Sequence, residues 1–470
     1  MMEMNLKRCF NMKNTGLRKQ FITIVFPLAL QNLLSALVSA SDALMLGGLN
    51  QESLSAVSLA TQVTFVATLF YNGIIGGTTV LSAQYWGSKR PDKVEEVMGI
   101  AIRYATIVSL AFWFGCTFLP QYLMRIFTND RQLISLGVPY LQVVGWSFFC
   151  MGITQIYFCV MKNTGRTTRS TVYATVALVL NLVLNAILIY GLFGVPALGI
   201  RGAALATLLA RVTELLFVAA ENMRKDVVSI RMKNILHCHL EMKKDYGKYT
   251  LPVLANSLAW GLGFTMFTVI IGRLGSDAVA ANSIANIVKN LTLCVCYGIS
   301  TGSGILVGNL LGADKIEEAK RLGDKCKKLS IIAGAITGGF VLLLSPLIVS
   351  MMTTLSPVAK SYLQVMLIVC SYYMIGKSIN CTVISGIFCA GGDTKFGFIC
   401  DSVTMWAVVV PLGMLAAFVF ELPVLWVYVL LNIDEIVKLP VVFRHYRQYK
   451  WAKNLVKKEE KIELRKSALV

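Results

Sequence analysis

The sequence predicts an all-α integral membrane protein of about twelve transmembrane helices, arranged as two parallel six-helix repeats. Three observations carry that expectation. The first is composition: 56% of the 470 residues are hydrophobic and 15% are charged, against roughly 25% charged in soluble domains, and the mean hydropathy is +0.65. The second is that apolar runs of about 20 residues, the length that crosses a bilayer, recur along the chain. The third is an internal repeat, because residues 27–94 recur at a constant offset of 225.

The runs fall near 21–47, 54–80, 98–120, 136–161, 171–193 and 198–220, then 248–272, 278–305, 328–352, 361–388, 396–418 and 421–443. Each copy therefore holds about six helices. The first run follows Lys7, Arg8, Lys13, Arg18 and Lys19 and continues from Phe21 beyond Leu44. That is too long for a signal-peptide core, so it reads as an uncleaved first span. The most polar interior stretch, 221–247, lies between the copies and reads as a linker. The chain is thus expected to divide into an N-terminal segment 1–20, a six-helix lobe 21–220, the linker 221–247, a second lobe 248–446 and a basic tail 447–470.

The repeat runs without a gap. Pro27 maps onto Pro252, Gln31 onto Asn256, Leu46-Gly47-Gly48-Leu49 onto Ile271-Gly272-Arg273-Leu274 and Leu54-Ser55-Ala56 onto Val279-Ala280-Ala281. Gly73, Gly77 and Gly87 fall on Gly298, Gly302 and Gly312. A shared register of this length in an apolar chain points to a transporter.

Charge sets the orientation. Of the 44 Lys and Arg, 34 lie in 7–19, 89–93, 162–169, 224–248, 315–328, at Lys395 and in 444–466, all on one side if the N-terminus is cytoplasmic. The positive-inside rule then places both termini and the linker in the cytoplasm, and the two copies are parallel. The net charge of +19 therefore requires no nucleic-acid partner, although the basic tail can touch anionic lipid headgroups.

Other function classes find little support. Most of the twelve Cys lie in apolar spans, where a thiol behaves as a small hydrophobe, and no disulfide framework is implied. His237-Cys238-His239 places soft ligands side by side, but metal sites space their ligands and need a second pair. There is no phosphate-cradling Gly loop with a Lys, no nucleophile elbow and no His within a span to act as a base. The chain reads as a non-enzyme without a resident cofactor.

The segments Ser41-Asp42-Ala43-Leu44-Met45-Leu46-Gly47-Gly48-Leu49 and Leu54-Ser55-Ala56-Val57-Ser58-Leu59-Ala60 resemble the first-helix signature of the multidrug and toxic compound extrusion (MATE) transporters. So do Gly199-Ile200-Arg201-Gly202-Ala203-Ala204-Leu205-Ala206-Thr207 and Asp434-Glu435-Ile436-Val437-Lys438 leading to Lys450-Trp451. The resemblance covers residues 15–455. It implies two six-helix lobes in a V, a central cavity, and export of small organic compounds across the cell membrane, driven by a proton or sodium gradient. A monomer is expected, with membrane lipids and the substrate as its partners.

Asp42 is the only carboxylate in the first span, and an ionised Asp at a helix centre costs about 2.5–3.5 kcal/mol on insertion scales. It should face a cavity or a partner. Its repeat equivalent is Phe267, so the second copy folds without the acid, which argues against a purely structural role. In the resemblance Asp42 is the ion-coupling residue of the N-terminal lobe, and Asn181, Asn185 and Thr207 line its pocket. Asn181 and Asn185, spaced i, i+4, share one helical face. The position of Asn185 often carries an aspartate in relatives, and an amide cannot exchange a proton. Bonding between helices is the plainer role for these polar residues.

In the second lobe the seventh span offers Asn256 and no acid, and the tenth offers Lys377 and Ser378, so the sodium-site acids of some relatives are missing. Lys289 and Lys377 lie within spans. They either pair with Asp401 or Glu435, or join Gln31 and Asn256 on the substrate cavity, where they would favour anionic or zwitterionic groups. Arg211 and Glu214, i and i+3, read as a local pair. Pro27 and Pro252 each remove a backbone donor, should bend the first and seventh spans, and are candidate gates. The rival readings are a lipid-linked oligosaccharide or lipid flippase of the same superfamily, and a membrane scaffold that transports nothing.

Overall fold

A computed structural model describes residues 14–224, 228–353 and 355–457, and no strand occurs among them. Without water to satisfy an exposed backbone, a spanning segment must close its own hydrogen bonds, and a helix does so within one segment. The helices are α1 (Asn14–Gly47), α2 (Gln51–Gly87), α3 (Pro91–Phe118), α4 (Pro120–Arg125), α5 (Arg131–Val144), α6 (Ser147–Asn163), α7 (Thr167–Tyr190), α8 (Gly199–Asn222), α9 (Met232–Leu236), α10 (Leu240–Gly272), α11 (Ser276–Gly312), α12 (Ile316–Met351), α13 (Pro357–Asn380), α14 (Thr394–Val403), α15 (Val410–Phe418), α16 (Val424–Leu431) and α17 (Asp434–Arg447). The ends of α1 and α10, of α2 and α11, and the starts of α3 and α12 are all separated by the same 225 residues that relate the two copies in sequence.

Among the described residues ten helical stretches are long and apolar enough to cross a membrane, and an eleventh is the pair α5 and α6, bent by 50°. The bend falls at Gly145-Trp146, where a side chain at Gly145 would sit 2.9 Å from Cys116 Cβ. The last expected span, 421–443, is two shorter helices, α16 and α17, parted at Asn432-Ile433. Two other spans are locally widened: Cys381–Phe388 and Thr404–Val409 are wound as π-helix. A π-turn loosens the regular ladder, and here the Ser300 hydroxyl on α11 donates to the Cys381 carbonyl at 2.7 Å.

The chain forms two compact units. One comprises the chain up to Pro27 with Leu33–Ser82 and Arg90–Thr250, and the other Leu28–Asn32, Ala83–Lys89 and the chain from Leu251. Helices α1, α2 and α10 thus contribute to both. Each of α1 and α10 continues through its proline, Pro27 or Pro252, as one helix.

In the first unit a buried polar contact ties three helices, because Tyr71 Oη meets Ser109 Oγ at 2.9 Å and both donate to the Phe148 carbonyl. The connection after α8 is docked onto α3: Glu95 accepts from Ser229 N and pairs with Arg231, and Glu96 accepts from His239 N. Tyr246 of α10 stacks on Tyr104 and bonds Thr78 at 3.1 Å.

In the second unit the apolar core is built from α10, α11, α12, α13, the π-wound Thr404–Val409, α15 and α16, including Ile270, Ala281, Leu367, Val409 and Tyr428. The end of α2 packs on the end of α11 so closely that only glycine fits. A Cβ on Gly87 would lie 2.0 Å from the Asn309 carbonyl oxygen, and one on Gly312 would lie 1.9 Å from that of Gln84. Residues 84 and 309, like 87 and 312, are equivalents in the repeat, so one contact is the image of the other. Gln84 is fully buried. Its amide donates to the carbonyls of Ala390 and Lys453 and its oxygen accepts from Leu455 N. The described residues after α17, as far as Lys457, are therefore seated. Trp451 is fully buried against Tyr446, and its carbonyl sits where a Gly391 side chain would lie.

Candidate functional site

Asp42 lies on α1, five residues before the Gly47-Gly48 turn, and is partly buried. The Asn185 amide on α7 donates to Asp42 Oδ1 at 2.6 Å and, at 3.4 Å, to Asn181 Oδ1 one turn earlier on the same face. Asn181 and Asn185 are both buried, and Asn185 Oδ1 has no hydrogen-bond partner among the described residues. One turn further along α7 the Tyr190 hydroxyl donates to the Met45 carbonyl at 2.7 Å. These bonds fix α7 against α1 around the acid.

Thr207 is on α8 and its hydroxyl donates to the Ala203 carbonyl one turn back at 3.1 Å, so no bond joins it to Asp42. The repeat equivalent of Asp42, Phe267 on α10, packs against the apolar core of the second unit. The acid in one copy is thus an aromatic ring in an oily setting in the other. Arg211 and Glu214 are bonded to each other at 2.9 and 3.1 Å, and Thr154 reaches the same carboxylate at 3.4 Å.

In the second unit the intramembrane charges of Lys377, Asp401, Asp434, Glu435 and Lys438 are joined into one network, and Lys289 stands outside it. Lys377 of α13 pairs with Glu435 of α17 at 3.0 Å. Lys438, one turn along α17, pairs with Asp401 of α14 at 3.0 Å and with Glu435 at 3.2 Å, and lies 3.6 Å from Asp434. Asn380 donates to the Glu435 carboxylate at 2.8 Å and to its backbone carbonyl at 2.7 Å. Asn256 of α10 donates to the second Asp401 oxygen at 3.0 Å. Lys289 of α11 bonds Asn432 Oδ1 at 2.9 Å, and its ammonium stands 4.0 Å from the centre of the Tyr373 ring. Gln31, from the α1 segment that belongs to this unit, has a buried Oε1 without a partner among the described residues, as does Asn256 Oδ1.

Buried charges cost several kcal/mol each unless paired and hydrogen-bonded. The network meets that demand with three acids, two lysines and two amides, while Lys289 is met by Asn432 and the Tyr373 ring. Sequence reasoning assigned no role to Asn380, Asn432, Asp434 or Lys438. A signal was present, since Asp434, Glu435 and Lys438 are spaced to share one helical face. Their partners on α13 and α14 are visible only once the helices pack.

A polytopic bundle built from two copies of one unit, with an acid bonded only by an amide in the first copy and compensated charges in the second, defines a membrane transporter of the internal-repeat class. The MatE family model matches residues 27–187 and again residues 252–415, and the chain belongs to that family, the multidrug and toxic compound extrusion transporters. It is similar to the uncharacterized transporter YisQ of Bacillus subtilis, 24% identical over 446 residues, covering 93% of this chain and 97% of that one. It is also similar to the probable multidrug resistance protein NorM of Thermotoga maritima, 22% identical and covering 95% and 96% of the two chains. A solved structure of a MOP superfamily transporter from Pyrococcus furiosus superposes with a TM-score of 0.84 at 20% identity, covering 92% of this chain and 95% of that one.

Proposed function

We propose that this transporter exports small organic compounds across the cell membrane by alternating access, coupled to a proton or sodium gradient through Asp42. Both termini then lie in the cytoplasm, and the working unit is a monomer. The observation that carries the reading is the Asp42–Asn185 bond at 2.6 Å, in the first copy only. Ionised, Asp42 accepts from Asn185. With a proton or a small cation bound it becomes neutral or compensated, and its pull on α7 changes. A ligand shifts a conformational equilibrium only by its differential affinity for the two states, and a carboxyl whose partner depends on its charge supplies that difference. Pro27, one face of α1 away from a full hydrogen-bond ladder, is the natural place for the helix to yield. The multidrug name given to the Thermotoga maritima relative supports the substrate class.

Lys289 and Lys377 both have partners, which weakens the flippase reading, since that reading asks for a free cationic wall. A small contribution of Gln31, Asn256 and Lys289 to substrate binding belongs to the same proposal. The test is dye or drug transport in inside-out vesicles with proton and sodium gradients imposed separately. Asp42→Asn, similar in size, should keep wild-type thermal stability and lose gradient-driven transport. Transport by this variant at the parental rate would place coupling elsewhere.

A further inference from the structure

One basic cluster in the first unit plays no part in the coupling site. At the start of α7 and the end of α8, Glu221 has a fully buried side chain that accepts four hydrogen bonds or ion contacts. Its Oε1 takes Arg166 at 3.0 Å and Arg169 at 3.1 Å, and its Oε2 takes Tyr173 at 2.9 Å and Arg224 at 3.3 Å. A carboxylate offers about four lone-pair sites, so Glu221 is filled. Among the described residues it is the one carboxylate in ion contact with Arg169 and Arg224, and two guanidiniums sharing one anion keep positive charge to spare.

That surplus is held in place and faces outward. The Arg169 and Arg224 side chains are 51% and 53% exposed, each uses one of its five N–H donors on Glu221, and the anchor limits their rotamers. The cluster also sits where a membrane ends, since α7 and α8 are both spanning helices and Glu221 is next to the last residue of α8. Below Arg169, at successive steps of three or four residues, α7 exposes Val172, Val176, Val179 and Val183. These positions share one face of the helix. A fixed pair of cations at the top of an exposed valine stripe matches a molecule with an anionic head and hydrocarbon chains, and basic pockets between spans are known to suit such lipids.

We infer that Arg169 and Arg224, positioned by Glu221, bind the phosphate headgroup of an anionic phospholipid whose chains lie along the valine stripe of α7. Inorganic phosphate, lacking chains, binds far less well. The site does not depend on the coupling reading, and its test needs no transport.

The full chain is purified in neutral detergent, and phosphatidylglycerol, phosphatidylcholine or inorganic phosphate is added. Phosphatidylglycerol should raise the melting temperature, as a ligand of the folded state does, and the other two should not. In the double variant Arg169→Gln with Arg224→Gln, apparent affinity for phosphatidylglycerol should fall by roughly thirtyfold. Arg166 and Tyr173 still hold Glu221 there. Native mass spectrometry of the folded fraction gives a count independent of stability, and the variant should retain one phosphatidylglycerol fewer than the parent. An unchanged count, or an equal response to inorganic phosphate and phosphatidylglycerol, overturns the inference.

Discussion

Asn185 donates its amide to Asp42 at 2.6 Å, so the one acid of the first span is met by a residue that can stabilise its charge but cannot take its proton. A two-carboxylate relay is therefore absent from this pair, in which Asp42 is the one group able to hold a proton.

Asn185→Asp puts a second carboxyl at hydrogen-bond distance from the first. Two carboxyls so close cannot both ionise easily, so the variant should fold, retain one shared proton near neutrality, and shift the pH dependence of export. A pH profile that overlays the parental one would show that the Asp42–Asn185 contact is not felt during transport.

Lys438 should be the most costly lysine to remove from the second unit. It serves Asp401 and Glu435 and lies near Asp434, so Lys438→Met leaves Asp401 and Asp434 without a cation and Glu435 with Lys377 alone, at about 3–5 kcal/mol. Lys289→Met loses a bond to Asn432 and a ring contact to Tyr373, and should cost about 1–2 kcal/mol. Unfolding in a chaotrope series ranks them, and the reverse order would contradict the network described above.

Gly391→Ala should unseat the segment that follows α17. A methyl group there would lie 1.6 Å from the Trp451 carbonyl oxygen, which is backbone and cannot rotate aside. Destabilisation of about 3 kcal/mol is expected, read as a fall in melting temperature. A variant that melts with the parent would mean that Trp451 is not held against this turn.

The same segment should respond to acid and not to mild changes of pH. Hydrogen bonds from Lys457 and from Asn454 hold the Asp314 carboxyl below the usual carboxylate range. A carboxyl lowered on folding contributes stability that is present above its unfolded value of about 3.9 and is lost as pH falls through the lower folded value. A spin label at Lys453→Cys should keep constant mobility from about pH 8 to pH 5 and become mobile only below about pH 4. In Asp314→Asn the label should be mobile throughout, and loosening of the parent above pH 5 would refute this mooring.

Apolar length and glycine register were enough to find the repeat and the spans. The pairs α1 with α10 and α2 with α11 end 225 residues apart because the same small and apolar residues recur at that spacing. What escaped depends on tertiary packing. Hydropathy averages over the break at Asn432-Ile433 and over the π-turns at Cys381–Phe388. Asp42, Asn181 and Asn185 could be placed together by periodicity and resemblance. The bond of Thr207 to its own helix could not, because a hydroxyl in a helix has a carbonyl within reach one turn back. The stretch after α17 reads as a charged tail, yet in its described part a single aromatic residue, Trp451, is fully buried, and composition does not weigh one side chain against seven basic ones.

Gln84 also fixes an order in time. Its partners Ala390, Lys453 and Leu455 lie 306, 369 and 371 residues downstream, and at a synthesis rate of about 5–20 residues per second the last two emerge roughly 20–70 s after Gln84 itself. Until Ala390 emerges the amide has none of its final partners, and until Lys453 and Leu455 follow it has at most that one, so the second helix must enter the bilayer and pack without the full set. The corner where Gln84 sits is consequently among the last parts of the molecule to be completed, and a chain cut short before Lys453 has all its spans but an unfinished end of α2.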